Sequence, residues 1–288
     1  MCAAPREWVA CNLCGSTRTA PWAQVGAATV VRCRECGLVY TNPRPVIDVL
    51  THAYEEDYAA LHQDEKLLQQ RRASYRREVA EILRRARGGR LLDVGCGTGE
   101  FLTLLRDHFE LHGVDVSASY VRYGREQLGL HNLRHGQLSQ VAYPADYFDV
   151  VQMRGVVQHL PDPLGEVREA CRVTRPGGLL VVSATPNIAS LCARLYRDRF
   201  RLLAPDQMLY DFSPRTLRAL LAKAGFRVET FAFPYLGTPY FRWWQGLQVG
   251  RDAILIGLEP LLGRRFALVS PAFFGNMMTC YARKPHSG

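Results

Sequence analysis

Residues 91–101 read Leu-Leu-Asp-Val-Gly-Cys-Gly-Thr-Gly-Glu-Phe. The apolar run ending in Asp93 predicts a buried strand, Gly95, Gly97 and Gly99 predict a tight turn, and Glu100 opens a helix. Such glycines let the backbone approach a ligand at the carboxyl edge of a first strand, where doubly wound sheets bind nucleotides. Glycine spacing alone does not name the ligand. Asp93 at the strand end and Glu100 at the helix start are poor company for a pyrophosphate, which a helix amino terminus otherwise attracts. They favour a cofactor carrying a positive group.

Working outward, Gly113-Val114-Asp115 closes a second strand with a carboxylate about 20 residues on, the position at which an acid accepts ribose hydroxyls. From Gly88-Gly89 onward, short apolar strands alternate with amphipathic helices, the pattern of a parallel sheet with crossover helices. Seven strands are expected, at 90–94, 110–115, 132–135, 148–153, 179–184, 226–233 and 277–283. Helices fit between them at 100–108, 118–128, 162–173 and 213–224. Asp162-Pro163 and Ser213-Pro214 each supply a capping residue followed by proline at the first helical position.

Upstream, Cys11-x2-Cys14 and Cys33-x2-Cys36 stand 18 residues apart. In a reducing compartment such knuckles are better explained by metal than by disulfides. Two of them close a tetrahedral four-thiolate cage suited to Zn2+, with no coordination position open for catalysis. The expected zinc is therefore structural, in a ribbon over residues 1–45. The other five cysteines show no pairing of this kind.

Residues 46–89 are expected to form a helical linker or cap. Its arginine-heavy stretch, Arg71 to Arg87, reads first as a solvated helix face and second as a surface for nucleic acid or another anionic partner. Tyr54 and Tyr58 would share one side of that helix, to cover a ligand or to pack on the core. Residues 234–276, between the last two strands, form an aromatic-rich insertion expected to act as a lid, substrate wall or subunit contact.

The chain has 288 residues, 48% hydrophobic and 22% charged, so it can bury a sizeable core and is not a disordered chain. Its net charge is +9, and all of its Lys and Arg residues except Lys66, Lys223 and Lys284 are arginine. Basicity favours anionic partners but says nothing of fold. No apolar run approaches the roughly 20 residues of a membrane span, and no signal-peptide core is visible at the start, so a cytoplasmic location is expected.

On these motifs the sequence resembles class I S-adenosylmethionine-dependent methyltransferases, in particular the bacterial subgroup with an amino-terminal zinc ribbon that acts on small molecules, natural products or glycans. The resemblance is carried by the cysteine pairs running into Cys-Gly-Leu-Val-Tyr-Thr-Asn-Pro-Arg-Pro at 36–45. The glycine motif, Asp115, His-Leu-Pro-Asp-Pro at 159–163 and Arg-Pro-Gly-Gly at 175–178 carry the rest. It implies a Rossmann-like seven-stranded sheet whose last strand is antiparallel, with helices on both faces, in a catalytic domain spanning 90–288.

The resemblance also implies roles. Asp93 and the backbone of Gly95, Cys96 and Gly97 should bracket the methionine and ribose, Asp115 should hold the ribose hydroxyls, and Val116 should lie against the adenine. Gln137 replaces the family's adenine-edge acid and is followed by Leu138; an amide oxygen still accepts a hydrogen bond from the adenine amino group. Met153, Arg154 and Gly155 should lie beneath the sulfonium. His159 is the candidate general base, or else a residue that fixes its loop. The family histidine before Phe212-Ser213 is replaced by Met208, leaving Asp206 or Asp211 as substitutes.

Methyl transfer to a small or carrier-linked metabolite is the expected activity, with O-methylation favoured and S-adenosylhomocysteine as product. Arg194, Arg197, Arg199 and Arg201 would flank a pocket for an anionic acceptor. An RNA methyltransferase and a protein that binds the cofactor without catalysis are the alternatives. The ribbon is poor in basic residues, and no Asn-Pro-Pro-Tyr-type tetrad follows strand four, which disfavours RNA.

Overall fold

The structure, a computed structural model, describes residues 5–46, 65–236 and 238–286. Tyr54, Tyr58, the side chain of Arg71 and the first part of the expected linker helix lie outside the described residues. The ribbon comprises β1 (Arg6–Glu7), β2 (Thr19–Val25), β3 (Ala28–Cys33), β4 (Val39–Thr41) and β5 (Arg44–Pro45), followed by helix α1 (Glu65–Arg85). The chain continues through β6 (Arg90–Val94), α2 (Glu100–Thr103), β7 (Glu110–Asp115), α3 (Ala118–Leu128), β8 (Leu133–His135), β9 (Phe148–Arg154), α4 (Pro163–Val173) and β10 (Thr174–Pro186). Then come α5 (Leu191–Tyr196), β11 (Tyr210–Asp211), α6 (Pro214–Lys223), β12 (Arg227–Ala232), α7 (Gln245–Leu262) and β13 (Met277–Arg283).

Seven strands form one sheet in the order β12-β13-β10-β9-β6-β7-β8, with β13 antiparallel to both neighbours. The sequence expectation of a seven-stranded Rossmann-like sheet with an antiparallel last strand holds. The central strands β6, β9 and β10 are apolar on both sides because both faces are covered there, whereas the edge strands β8 and β12 are largely exposed. Leu92, Val94, Val151 and Val182 face one core with Val167 of α4 and Leu217 of α6, whereas Leu91, Val150 and Val181 face a second with Val79 and Ile82 of α1. That period of two sends successive side chains to opposite layers.

The local signals act as read. Asp162 accepts a hydrogen bond from Gly165 N and Ser213 from Thr216 N, each just before a proline at the first helical position. The expected helix over 100–108 is shorter: α2 ends at Thr103, and the chain tightens into i→i−3 bonds from Leu104 N to Phe101 O (3.2 Å) and from Leu105 N to Leu102 O (2.9 Å).

The ribbon is built into the domain. Strand β11, from the catalytic half of the chain, adds to the ribbon sheet beside β4. A third core joins Val30 and Val39 of the ribbon to Cys192 and Tyr196 of α5 and Val249 of α7. The 234–276 insertion is thus partly a helix that wedges against the ribbon side. Its start remains near the sheet edge, as a wall would. Among the described residues, no helix is long and apolar enough to cross a membrane.

Candidate functional site

The carboxyl ends of β6, β7, β8 and β9 lie side by side in register, which aligns Asp93 with Gly113 and Gln152. Gly95 N and Cys96 N both donate to Val114 O, at 2.7 and 3.1 Å, folding the turn over the neighbouring strand. A Cβ at Gly95 would sit 2.4 Å from Val156 Cγ2, and Gly95 has φ +69°, so only glycine fits there. At Gly97, also left-handed, a Cβ would meet nothing within 4 Å. The turn therefore presents bare backbone to an open cradle.

Asp115 closes the cradle. Its Oδ2 accepts from Gly97 N (2.8 Å) and its Oδ1 from Ser117 N (2.9 Å), leaving one lone pair on each oxygen for a diol. Burial raises its pKa, against the pull of those two amides and of His135. Asp93 is 2% exposed, and its Oδ1 has no hydrogen-bond partner. Burial pushes its pKa up to about 8; Arg154 opposes this, and Asp115 and Glu78 add to it. A buried carboxyl with an orphaned oxygen is costly unless a ligand supplies the partner.

The other expected cofactor contacts divide by side-chain direction. Val116 is exposed at the rim, and Gln137 is half-buried with its own N–H donated to Gln140 Oε1 at 3.0 Å. Cys96 is buried behind the turn, its thiol pKa raised by burial and by Asp115 and Asp93. Leu138 and Met153 are packed in the hydrophobic core. Only their backbone can meet a ligand, which corrects any reading of those side chains as contacts.

Arg154 emerges on the opposite face of β9 from Met153. It donates to Glu78 of α1 at 3.1 and 3.3 Å, and its guanidinium lies 4.5 Å from the Tyr75 ring centroid. Ser183 Oγ donates to the same Glu78 (2.8 Å) and accepts from Gln152 Nε2 (3.1 Å). Glu78 was not read from the sequence. It is one of two acids, with Glu81, in the arginine-rich 71–87 stretch, and the charge pattern there does not set it apart.

His159 follows β9 in a short turn. Its Nδ1 is 2.8 Å from Gln207 O, and a carbonyl can only accept, so the proton sits on Nδ1 and Nε2 is the basic nitrogen. Burial lowers its pKa, against the effect of the Gln207 carbonyl, and keeps the ring neutral near pH 7. Asp206 is ion-paired to Arg6 (2.8 Å), whereas Asp211 is buried with one orphaned oxygen and a pKa raised to about 7 by desolvation.

A cavity of about 750 Å3 opens between α1 and the β12-β13-β10 edge, with Arg154 and Ala184 at its inner end. Arg77, Glu78, Arg84 and Arg85 of α1 form one wall, and Phe233 with Pro234, Thr238 and Tyr240 of the insertion form another. The arginines expected to flank a pocket are elsewhere. Arg197 lies over the Trp22 ring, Arg199 is paired with Glu259 (2.6 Å), and Arg194 and Arg201 are exposed outside this cavity. The solvated-face reading of 71–87 holds at Arg72, Arg76, Arg77, Arg84 and Arg87, which are exposed; Arg85 departs from it, half-buried with its guanidinium over the Tyr281 ring.

At the amino end, the four sulfurs of Cys11, Cys14, Cys33 and Cys36 lie within 4.8 Å of one another. The closest pairs are Cys11–Cys36 at 3.4 Å and Cys14–Cys33 at 3.5 Å. Each knuckle is closed by a glycine, with Gly15 N donating to Cys11 O (2.7 Å) and Gly37 N to Cys33 O (3.1 Å). Burial pushes the Cys36 thiol up to about 11 and Cys11 still higher. Burial also opposes Cys33, but the Cys36 and Glu35 amides overcome it and bring that thiol down to about 7. Tetrahedral thiolates about 2.3 Å from Zn2+ would stand at similar separations.

Residues 67–230 match the family described as a methyltransferase domain. The demethylmenaquinone methyltransferases of Geobacillus stearothermophilus and Listeria welshimeri are 30% and 29% identical to this chain, over 145 and 142 residues. The match covers 47% of this chain and 62% of the Geobacillus protein, so the chain spans less than two thirds of that relative's length. Among solved structures, a Thermotoga maritima S-adenosylmethionine-dependent methyltransferase, possible histamine N-methyltransferase, covers 83% of this chain and all of its own (100%), with TM-score 0.54 at 18% identity. A methyltransferase structure from Bacillus halodurans, itself titled as putative, covers 72% of this chain and 97% of its own, with TM-score 0.51 at 19% identity. These likenesses carry the fold, and the family match extends over more than half of the chain, from α1 to β12: this chain belongs to the methyltransferase domain family.

Proposed function

We propose that this chain is an S-adenosylmethionine-dependent methyltransferase acting on a small or carrier-linked acceptor, with a hydroxyl as the favoured methyl-accepting group. The observation that carries the reading is the pairing of Asp93, buried with an orphaned oxygen, with the bare cradle at Gly97. A cationic amino-acid sulfonium would answer the first, and an adenosine ribose bound at Asp115 would fill the second. When bound, that cofactor supplies the activated methyl group.

Asp93 and the Gly95–Gly97 backbone would hold the methionine and ribose portion, Asp115 the ribose hydroxyls, and Val116 with Gln137 the adenine. The cavity between α1 and the insertion would take the acceptor, at a volume within the usual range for small-molecule sites. Its wall carries Arg77, Arg84, Arg85 and Arg154 against Glu78 and Glu81, an excess of positive charge suited to an acidic handle on the acceptor. His159, the candidate general base, lies outside the residues that line this cavity, and its part in taking the hydroxyl proton is what the rate of a His159→Gln variant tests. The protein's remaining task is to align the acceptor and exclude water.

The demethylmenaquinone relatives support a small-molecule acceptor over RNA, without identifying which. The four-cysteine cluster would hold one structural Zn2+. Titration calorimetry with S-adenosylhomocysteine tests the core of the reading. We expect binding by the native protein, its loss in Asp115→Ala and a weaker but measurable affinity in Asp93→Asn; no uptake by folded native protein would overturn it.

A further inference from the structure

Helix α7 is apolar on two sides. Gln245, Val249 and Asp252 are buried, and Ile256 packs on the ribbon-side core. Turned directly away from them at helical spacing are Leu247, Ile254, Leu258 and Leu261, of which Leu247 is 69%, Ile254 67% and Leu261 82% exposed. The three charged residues of the helix are all engaged elsewhere: Asp252 with Tyr196 and Arg251, and Glu259 with Arg199. A helix hydrophobic all round belongs in a core or against another apolar phase, and a contiguous exposed apolar stripe marks a contact surface.

The ends of the stripe identify the phase. At the amino end stand Trp243, 73% exposed, and Trp244, beside Arg242; at the carboxyl end come Arg264 and Arg265. Arg242 and Arg264 have no carboxylate partner among the described residues; each lies over an aromatic ring, of Trp244 and Phe266. Tryptophans flanking leucines with arginines at the margins are the composition of a helix lying in a lipid interface. A second copy of the chain fits worse. An antiparallel pairing would bring Arg242 of one helix against Arg264 of the other, like charge on like in a chain of net charge +9, Arg265 being paired with Asp198.

We propose that the exposed face of α7, with Trp243 and Trp244, docks this protein on anionic lipid membranes. The helix lies on the surface and does not cross it, consistent with its charged residues and Pro260. Tyr240, which lines the cavity, stands three residues before Trp243 in the chain. The inference is independent of the methyl-transfer reading.

The test is co-sedimentation of the full chain with vesicles of phosphatidylcholine alone and of phosphatidylcholine with one third phosphatidylglycerol. We expect sedimentation with the anionic vesicles only, weakened by high salt. The Leu247→Asp/Ile254→Asp variant should bind about tenfold more weakly, and so should Arg242→Glu/Arg264→Glu. Both should keep native melting temperature and S-adenosylhomocysteine affinity. Three results would each overturn the proposal: no sedimentation of native protein, native binding by the aspartate variant, or a dimer in light scattering that Ile254→Asp converts to monomer, which would assign the face to a second copy.

Discussion

Asp93 concentrates the chemistry of the site in one carboxyl. Its pKa, raised to about 8 chiefly by burial, means that the ligand-free protein holds a proton there at neutral pH. The folded state therefore binds this proton more tightly than the unfolded chain does. The associated stability is full below the ordinary carboxylate pKa and is lost as pH rises toward 8. Asp93→Asn removes that loss, so its ligand-free melting temperature should exceed the native one at pH 8 and approach it at acid pH. Binding a cationic ligand at the carboxylate expels the proton. Native affinity for S-adenosylmethionine should accordingly rise about tenfold per pH unit below 8, and calorimetry in buffers of different ionisation enthalpy should show about one proton released. The asparagine variant should show neither effect. At His159, where burial lowers the pKa, the acid limb of the rate profile should fall below the ordinary imidazole range. His159→Gln should reduce kcat by about 10²–10⁴ for a hydroxyl acceptor, with cofactor affinity unchanged.

Among the elements, α1 is the one the sequence least prepares for. Its acid Glu78 meets three groups from two strands, Gln152 through Ser183, Ser183 itself and Arg154, and so pins the helix over the sheet edge. Glu78→Gln would leave Arg154 half-buried with a weakened partner. We expect a loss of about 1–3 kcal/mol in denaturant unfolding, together with a rise in acceptor KM larger than any change in cofactor affinity, since Glu78 lines the cavity and the cradle lies beyond Arg154. The central strands β6, β9 and β10 were legible because their burial on both faces leaves continuous apolar runs, and α4 and α6 because a capping residue and a proline open each. Helix α7 was not: Gly246, Gly250, Gly257 and Pro260 argue against a helix, and leucines on two sides erase the amphipathic period. The cradle proposed for the cofactor is local to one turn and one strand end, so its residues stand together in the sequence. The acceptor cavity draws on α1, β12, β13 and the insertion, and no spacing along the chain announces such a meeting.

At the scale of the molecule, the ribbon does more than ornament the amino terminus. Asn12, within the first knuckle, accepts from Leu164 N (3.0 Å) and donates to Asp162 (2.7 Å), the residue that caps α4. Arg44 donates to Pro161 O (2.8 Å), and Lys223 to Leu13 O (2.8 Å). The loop that carries His159 is therefore held from the ribbon side, and the shape of that side depends on the four thiols at Cys11, Cys14, Cys33 and Cys36. If those thiols hold Zn2+, the metal's binding free energy is folding free energy for the knuckles and, through Asn12 and Arg44, for the loop. We expect elemental analysis of purified protein to give about one zinc per chain. Chelation should lower the melting temperature and reduce methyl transfer more than S-adenosylhomocysteine binding, because the hydrogen bonds of Asn12 and Arg44 reach the segment at 161–164 that follows His159. Cys14→Ser should act in the same direction, and added zinc should rescue the chelated protein but not the variant. Zinc-free protein with native melting and native turnover would show that the cluster does not organise the loop.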